Sequence, residues 1–254
     1  MEYVSPGAAK SMTGLRLVLS AGVPGPWGEA AKNLFELRGV AYTPVAQKVM
    51  EANEELAEWT GLRNAPIAVY ENEAPLDRWL DILMLAERLG RGPSLLPDES
   101  IERALCVGIA SEIAGEWGLG WCCRVHLFTR TKERMETVPI WPRIRRDYGI
   151  TEAAAEAVPG RIRDILAMLA NQLERQQGIG FNYLVGKDLS AADIYWSTFS
   201  QILAPMEPER CPMPDYLRRL YGKTAADFRE AVAPSLVEHR DFIYREHLKL
   251  PVDF

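Results

Sequence analysis

A surplus of positive charge is missing from this chain: 29 Lys and Arg stand against 35 Asp and Glu, a net charge of −6. Phosphate recognition is built from clustered cations, so this balance argues against a nucleic-acid partner. The one basic cluster, Arg143, Arg145 and Arg146, lies beside Asp147 in a proline-bearing stretch and reads as a solvated turn. Long apolar runs are missing too. No stretch approaches the roughly 20 residues that cross a bilayer, and the first residues lack the charged start and apolar centre of an export signal. The expectation is a cytoplasmic protein with no membrane partner. Cysteine is scarce, and Cys106, Cys122, Cys123 and Cys211 show neither metal-ligand spacing nor a plausible pairing between neighbours, which fits a reducing compartment. The three histidines, His126, His239 and His247, are too scattered for a nucleophile–base pair or a metal centre, so no metal is expected. Internal repeats and low-complexity tracts are absent as well.

What is present is an ordinary globular composition, 48% hydrophobic and 25% charged over 254 residues, enough for two modest domains. Residues 1–12 are small and polar and read as a loose lead-in. Leu15, Arg16, Leu17, Val18 and Leu19 form a short buried strand, and residues 20–28, dense in Gly and Pro, form a loop. Helical periodicity follows over 29–38, with Gly39 where a helix-ending glycine belongs. A second strand is predicted within 40–49, a short helix over 53–59, a third strand at Ile67, Ala68, Val69 and Tyr70, and an amphipathic helix over 77–89. Strands alternating with helices over about 75 residues make a small mixed α/β domain, and residues 92–97 read as a linker.

Beyond the linker the strand signal disappears. Helices are expected over 100–117, 159–177, 214–221 and 225–237, with Pro234 as a stop that ends the last of these early. Residues 128–151 hold either a short helix or a functional loop. The plainest helix start in the chain is at Ser190, where Asp193 stands three residues on and can reach back to the Ser190 N–H in a capping box. The residues after it are too apolar for a surface helix, so this element is expected to run through a helical core.

Tyr183, Leu184, Val185 and Gly186, followed by Leu189, Ser190, Ala191, Ala192, Asp193 and Ile194, resemble the hallmark of the C-terminal domain of cytosolic glutathione transferases. Glu36 to Tyr42 is similar to that family's passage from first helix to second strand, Ala65, Pro66, Ile67, Ala68 and Val69 to its proline-then-strand signature, and residues 77–90 to the helix after it. The resemblance implies an α+β fold, a thioredoxin-like glutathione-binding domain over 13–91 followed by an all-helical domain over 98–254. It also implies a homodimer that conjugates glutathione, as co-substrate, to a small apolar electrophile. A non-catalytic glutathione-binding or interaction protein on the same scaffold is the alternative, because this sequence is an atypical member.

The resemblance assigns roles residue by residue. Pro66 would follow a cis bond, the alternative being a plain strand-entry proline. The Ala65 backbone would pair with the cysteinyl part of glutathione as an added strand does, with Asn64 beside it. Asp77 and Arg78 would hold the γ-glutamyl end, unless they are only a solvated pair at a helix start. Where the family carries a Tyr, Ser or Cys to activate the thiol, Gly25, Pro26 and Trp27 offer neither hydroxyl nor thiol. Ser20 is the remaining candidate, against a turn serine bonded to its own backbone or activation by backbone N–H groups near Gly28. Trp27 would pack over the ligand or plug the structure. Trp117, Trp121, Cys122 and Cys123 lie near the helix that walls the family's electrophile pocket and belong either to it or to the core.

Overall fold

The computed structural model describes residues 1–254, apart from the side chain of Arg134. Its N-terminal domain is built on strand β1 (Leu15–Ser20), flanked by the parallel β2 (Tyr42–Gln47) and the antiparallel β3 (Ile67–Tyr70). Alternation along β1 divides the core in two. Leu15, Leu17 and Leu19 face the helices α2 (Pro26–Leu37) and α4 (Trp79–Leu89), whereas Val18 joins Val45, Ile67 and Leu56 of α3 (Glu54–Thr60) on the other side. Burial on both faces is why β1 reads as a continuous apolar run. A fourth strand position is reduced to one bridge, in which Ala68 and Leu76 exchange N–H···O bonds of 2.8 and 2.9 Å.

Three expectations for this half are corrected. Residues 1–12 are not loose: α1 (Pro6–Ala9) is capped by Ser5, Ala9 is fully buried, and Val4 bridges Val45. The loop ends at Gly25 and not at Gly28, because Pro26 opens α2 at a position where its missing N–H has no intrahelical partner to lose. Helix α4 starts at Trp79, leaving Asp77 outside it and Arg78 as its N-cap residue.

The C-terminal domain is all helical. Helix α5 (Ser100–Ala114) stops before Trp117, which adopts a left-handed φ of 58°. A separate helix α6 (Leu119–Arg130) follows, unforeseen because its buried residues spread around the cylinder instead of forming a stripe. Residues 128–151 hold two short helices, α7 (Lys132–Met135) and α8 (Trp141–Asp147). Helix α9 (Glu152–Gly178) begins seven residues before Pro159. The proline stands inside it, tolerated because Ala154, Val158, Ile162 and Ile165 bury one face on either side. Helix α10 (Ala191–Phe199) is buried throughout and runs through the centre, as expected. Helices α11 (Asp215–Phe228) and α12 (Pro234–Glu246) complete the domain, and Pro234 starts α12 where a stop was expected.

No helix among the described residues is long and apolar enough to cross a membrane.

Candidate active site

Strand register decides which sequence-distant residues meet. Ser20 pairs with Gln47 at the C-terminal ends of β1 and β2, and Val18 pairs with Ile67 at the start of antiparallel β3. The ends of two strands and the Ala65–Pro66 entry to the third therefore share one edge of the sheet. Helix α2 starts over that edge: a Cβ placed on Gly25 would lie 3.8 Å from Ser20 Oγ. No side chain caps the first turn of α2, and an uncapped N-terminus offers free N–H groups and the positive end of the helix dipole to an anion.

Each side chain at this edge has a definite partner. The Ser20 hydroxyl donates to Gln47 Oε1 at 2.9 Å, while Gln47 Nε2 donates to the carbonyl of Lys48 at 3.1 Å, which sets the orientation of that amide. The Ala65–Pro66 peptide is cis, and Pro66 is buried. Asn64 Nδ2 donates to Asp77 Oδ2 at 3.3 Å, tying the β3 entry to the turn before α4. Asp77 and Arg78 make no ion pair with each other among the described residues, and Arg78 is exposed. Gln47 and Arg63 were not foreseen here. Arg63 bonds Glu54 at 2.8 Å, and that bond holds the Glu54 carboxyl below the usual range. Only register could have found Gln47, since nothing near it in sequence marks it.

Trp27 faces the helical domain. Its indole N–H donates to the Ala114 carbonyl at 2.8 Å and its ring meets Phe199 edge-on, centroids 4.8 Å apart. Gly120 of α6 leaves room for this pair, because a Cβ there would lie 2.6 Å from Phe199 Cδ1 and 2.9 Å from Trp27 Cη2. Trp27 is thus the wedge between the domains. Along α6, Cys122 and Cys123 are core, whereas Trp121 meets Tyr148 at a tilt, centroids 5.0 Å apart, and Tyr148 meets Phe128 edge-on at 5.5 Å. The three histidines lie apart, bonded to Asp227, Asp193 and Tyr183 in turn. Ser190 and Asp193 form the capping box of α10, with Ser190 N–H and Oγ–H both donating to Asp193 Oδ2, at 2.9 and 2.7 Å.

A concavity of about 530 Å³ lies elsewhere, lined by Arg163 and residues 226–231. Its Arg163 and Arg229 are offset by Asp227 and Glu230, and Asp227 is already engaged by His126 and Arg130. The sheet edge, where a strand entry, a free helix N-terminus and a hydroxyl converge, is the better candidate.

No protein-family model matches the sequence, and neither does any curated protein. Solved structures do. A glutathione S-transferase from Xanthobacter autotrophicus Py2 superposes with a TM-score of 0.58 at 14% identity, over 93% of this chain and 96% of that one. A glutathione S-transferase from Methylobacterium radiotolerans, in complex with glutathione sulfonate, gives 0.56 at 17% identity over 89% and 93%. A β-etherase from Sphingobium gives 0.57 at 17% identity over 91% and 100%. From end to end of both domains, this chain has the fold of the glutathione S-transferases.

Proposed function

We propose that this protein binds glutathione along the sheet edge and conjugates it, through its thiol sulfur, to a small apolar electrophile. The observation that carries this reading is the convergence of Ser20, Asn64–Pro66 and Asp77 beside the uncapped start of α2, in a fold shared with a transferase described as holding glutathione sulfonate. In this reading the Ala65 backbone pairs with the cysteinyl residue. Asp77 takes the γ-glutamyl amine and Arg78, whose exposed side chain makes no ion pair among the described residues, the carboxylate beside it. The thiolate sits against Ser20 and the first N–H groups of α2, which lower its pKa. It attacks the electrophilic carbon, the new S–C bond forms as the leaving group departs with its electron pair, and the thiol proton passes to solvent. We also assign residues 13–91 to glutathione, residues 98–254 to the electrophile and to structure, and the working unit to a cytoplasmic homodimer.

A second reading has its own observation. The Ser20 hydroxyl is satisfied by Gln47, and Gly25, Pro26 and Trp27 supply no hydroxyl or thiol, the Trp27 indole N–H being engaged by Ala114; a glutathione-binding protein without turnover would look the same. Calorimetric titration with glutathione followed by a conjugation assay on chlorodinitrobenzene separates the two. Binding with turnover is expected; binding alone favours the second reading, and no binding removes both.

A further inference from the structure

The direction of the Ser20–Gln47 hydrogen bond is fixed from outside the pair. Gln47 is buried at the end of β2, and its Nε2 faces two backbone carbonyls, that of Lys48 at 3.1 Å and that of Arg63, before β3, at 3.5 Å. Carbonyls only accept, so the amide nitrogen lies on their side and Oε1 on the other. A flipped amide would set its oxygen against both of them. Oε1 has no hydrogen to give, and it is therefore Ser20 that donates, at 2.9 Å.

The consequence falls on the open side of Ser20. With its one hydrogen committed to Gln47, the hydroxyl turns only lone pairs toward a group that approaches it. Approach is possible: Ser20 is half-buried, and Gly25 stands against it without a side chain, where a Cβ would lie 3.8 Å from Oγ. Lone pairs accept from a neutral thiol and repel a thiolate. The other support for a thiolate is the start of α2, where Pro26 has no N–H and the Glu29 N–H is spent on the Gly25 carbonyl at 2.8 Å, leaving the N–H groups of Trp27 and Gly28.

We propose that Gln47 is a positioning residue that sets the ionisation of bound glutathione through Ser20. While the Ser20–Gln47 bond is intact the site holds the neutral thiol. When the Ser20 hydrogen turns from Gln47 to the sulfur, the S–H bond breaks, its electron pair stays on sulfur and the proton passes to solvent. Gln47 thereby holds the thiol pKa above the value that the same site would give without it. This deepens the glutathione reading above and rests on it. The charged groups on the elements around the pair have partners of their own: Lys48 after β2 with Glu51, Arg63 before β3 with Glu54, Asp77 before α4 with Asn64, and Glu29 of α2 with Lys32.

The test is a pH titration of the ultraviolet thiolate absorbance of bound glutathione, made once calorimetry has measured its binding. Gln47→Met is expected to lower the pKa of the bound thiol by about half a unit, the worth of one neutral hydrogen bond. In a Ser20→Ala background the same change should move it by less than about 0.1 unit, because the hydrogen through which Gln47 acts is gone. A purely structural effect of Gln47 would appear in both backgrounds. An unmoved or raised pKa in Gln47→Met, or an equal shift with and without Ser20, would overturn the proposal. Gln47→Leu takes the place of Gln47→Met if that variant does not fold. Binding with an unmoved pKa removes this proposal alone, whereas failure of glutathione to bind removes the glutathione reading and this one with it.

Discussion

Asp193 and His239 meet in the interior of the helical domain, Oδ1 to Nε2 at 2.9 Å, with neither side chain more than 2% exposed. The same Asp193 oxygen accepts from the Leu184 N–H at 2.8 Å, and its other oxygen accepts from both Ser190 donors. One carboxylate thus joins the start of α10, the turn before it and the middle of α12. Facing a carboxylate, His239 Nε2 must carry the hydrogen.

Asp193→Ala should therefore cost far more than the loss of an ordinary helix cap. It leaves two backbone N–H groups and an imidazole without an acceptor in the core, at about 1–3 kcal/mol each, against about 1 kcal/mol for a surface cap. Denaturant unfolding should show a loss of at least about 3 kcal/mol. A loss near that of a surface cap would mean that the network is not a unit.

Gly120→Ala tests the wedge between the domains. Helix propensity alone favours Ala by about 1 kcal/mol, but the new methyl would press on Phe199 and Trp27, both held in place, the latter by its bond to Ala114. Overpacking of this kind costs about 1–3 kcal/mol, so net destabilisation is expected in thermal melts. A stabilised variant would show that the interface gives way easily.

If Ser20 donates to the glutathione thiolate, its hydrogen must turn away from Gln47. Ser20→Ala should then lower kcat/KM by about tenfold or more, while Gln47→Met, which removes the competing acceptor, should change it less than about threefold and upward. An unchanged rate in Ser20→Ala would transfer thiol activation to the N–H groups at the start of α2.

All four cysteines are buried, and burial pushes the thiols up, to about 11 for both Cys122 and Cys211. A raised pKa leaves the thiol protonated at neutral pH, and it is the thiolate that reacts. The native protein should react negligibly with a disulfide reagent at neutral pH, faster as the pH rises toward those values, and fully once unfolded. A thiol that reacts quickly in the native state would contradict this burial.

On α5, Ile101 is 76% exposed and Leu105, one turn on, 41%, an apolar pair on one exposed face of the helix. If the homodimer forms across this helix, Ile101→Glu combined with Leu105→Glu should shift sedimentation from dimer to monomer without unfolding the chain. A dimer that survives would place its interface elsewhere.

The strands, the helix starting at Ser190 and the proline before β3 were legible because each depends on residues within a few positions, through steric preference, side-chain alternation and capping. Proline and glycine misled where their meaning depends on position: Pro26 and Pro234 open helices that composition suggested they exclude. Helix α6 escaped notice because it is packed on several sides, so no single apolar stripe betrays it.

By itself, then, the sequence determined the order of the three strands with the helices between and after them, the start of the helix at Ser190, and the division into an α/β half and a helical half. Only the tertiary structure decided the partners: Gln47 for Ser20, 27 residues apart, Ala114 for Trp27, 87 apart, and His239 for Asp193, 46 apart. The reason is physical. Local conformation is set by short-range sterics and hydrogen bonding, whereas the partner of a buried polar group is whatever register and helix packing bring within about 3 Å of it.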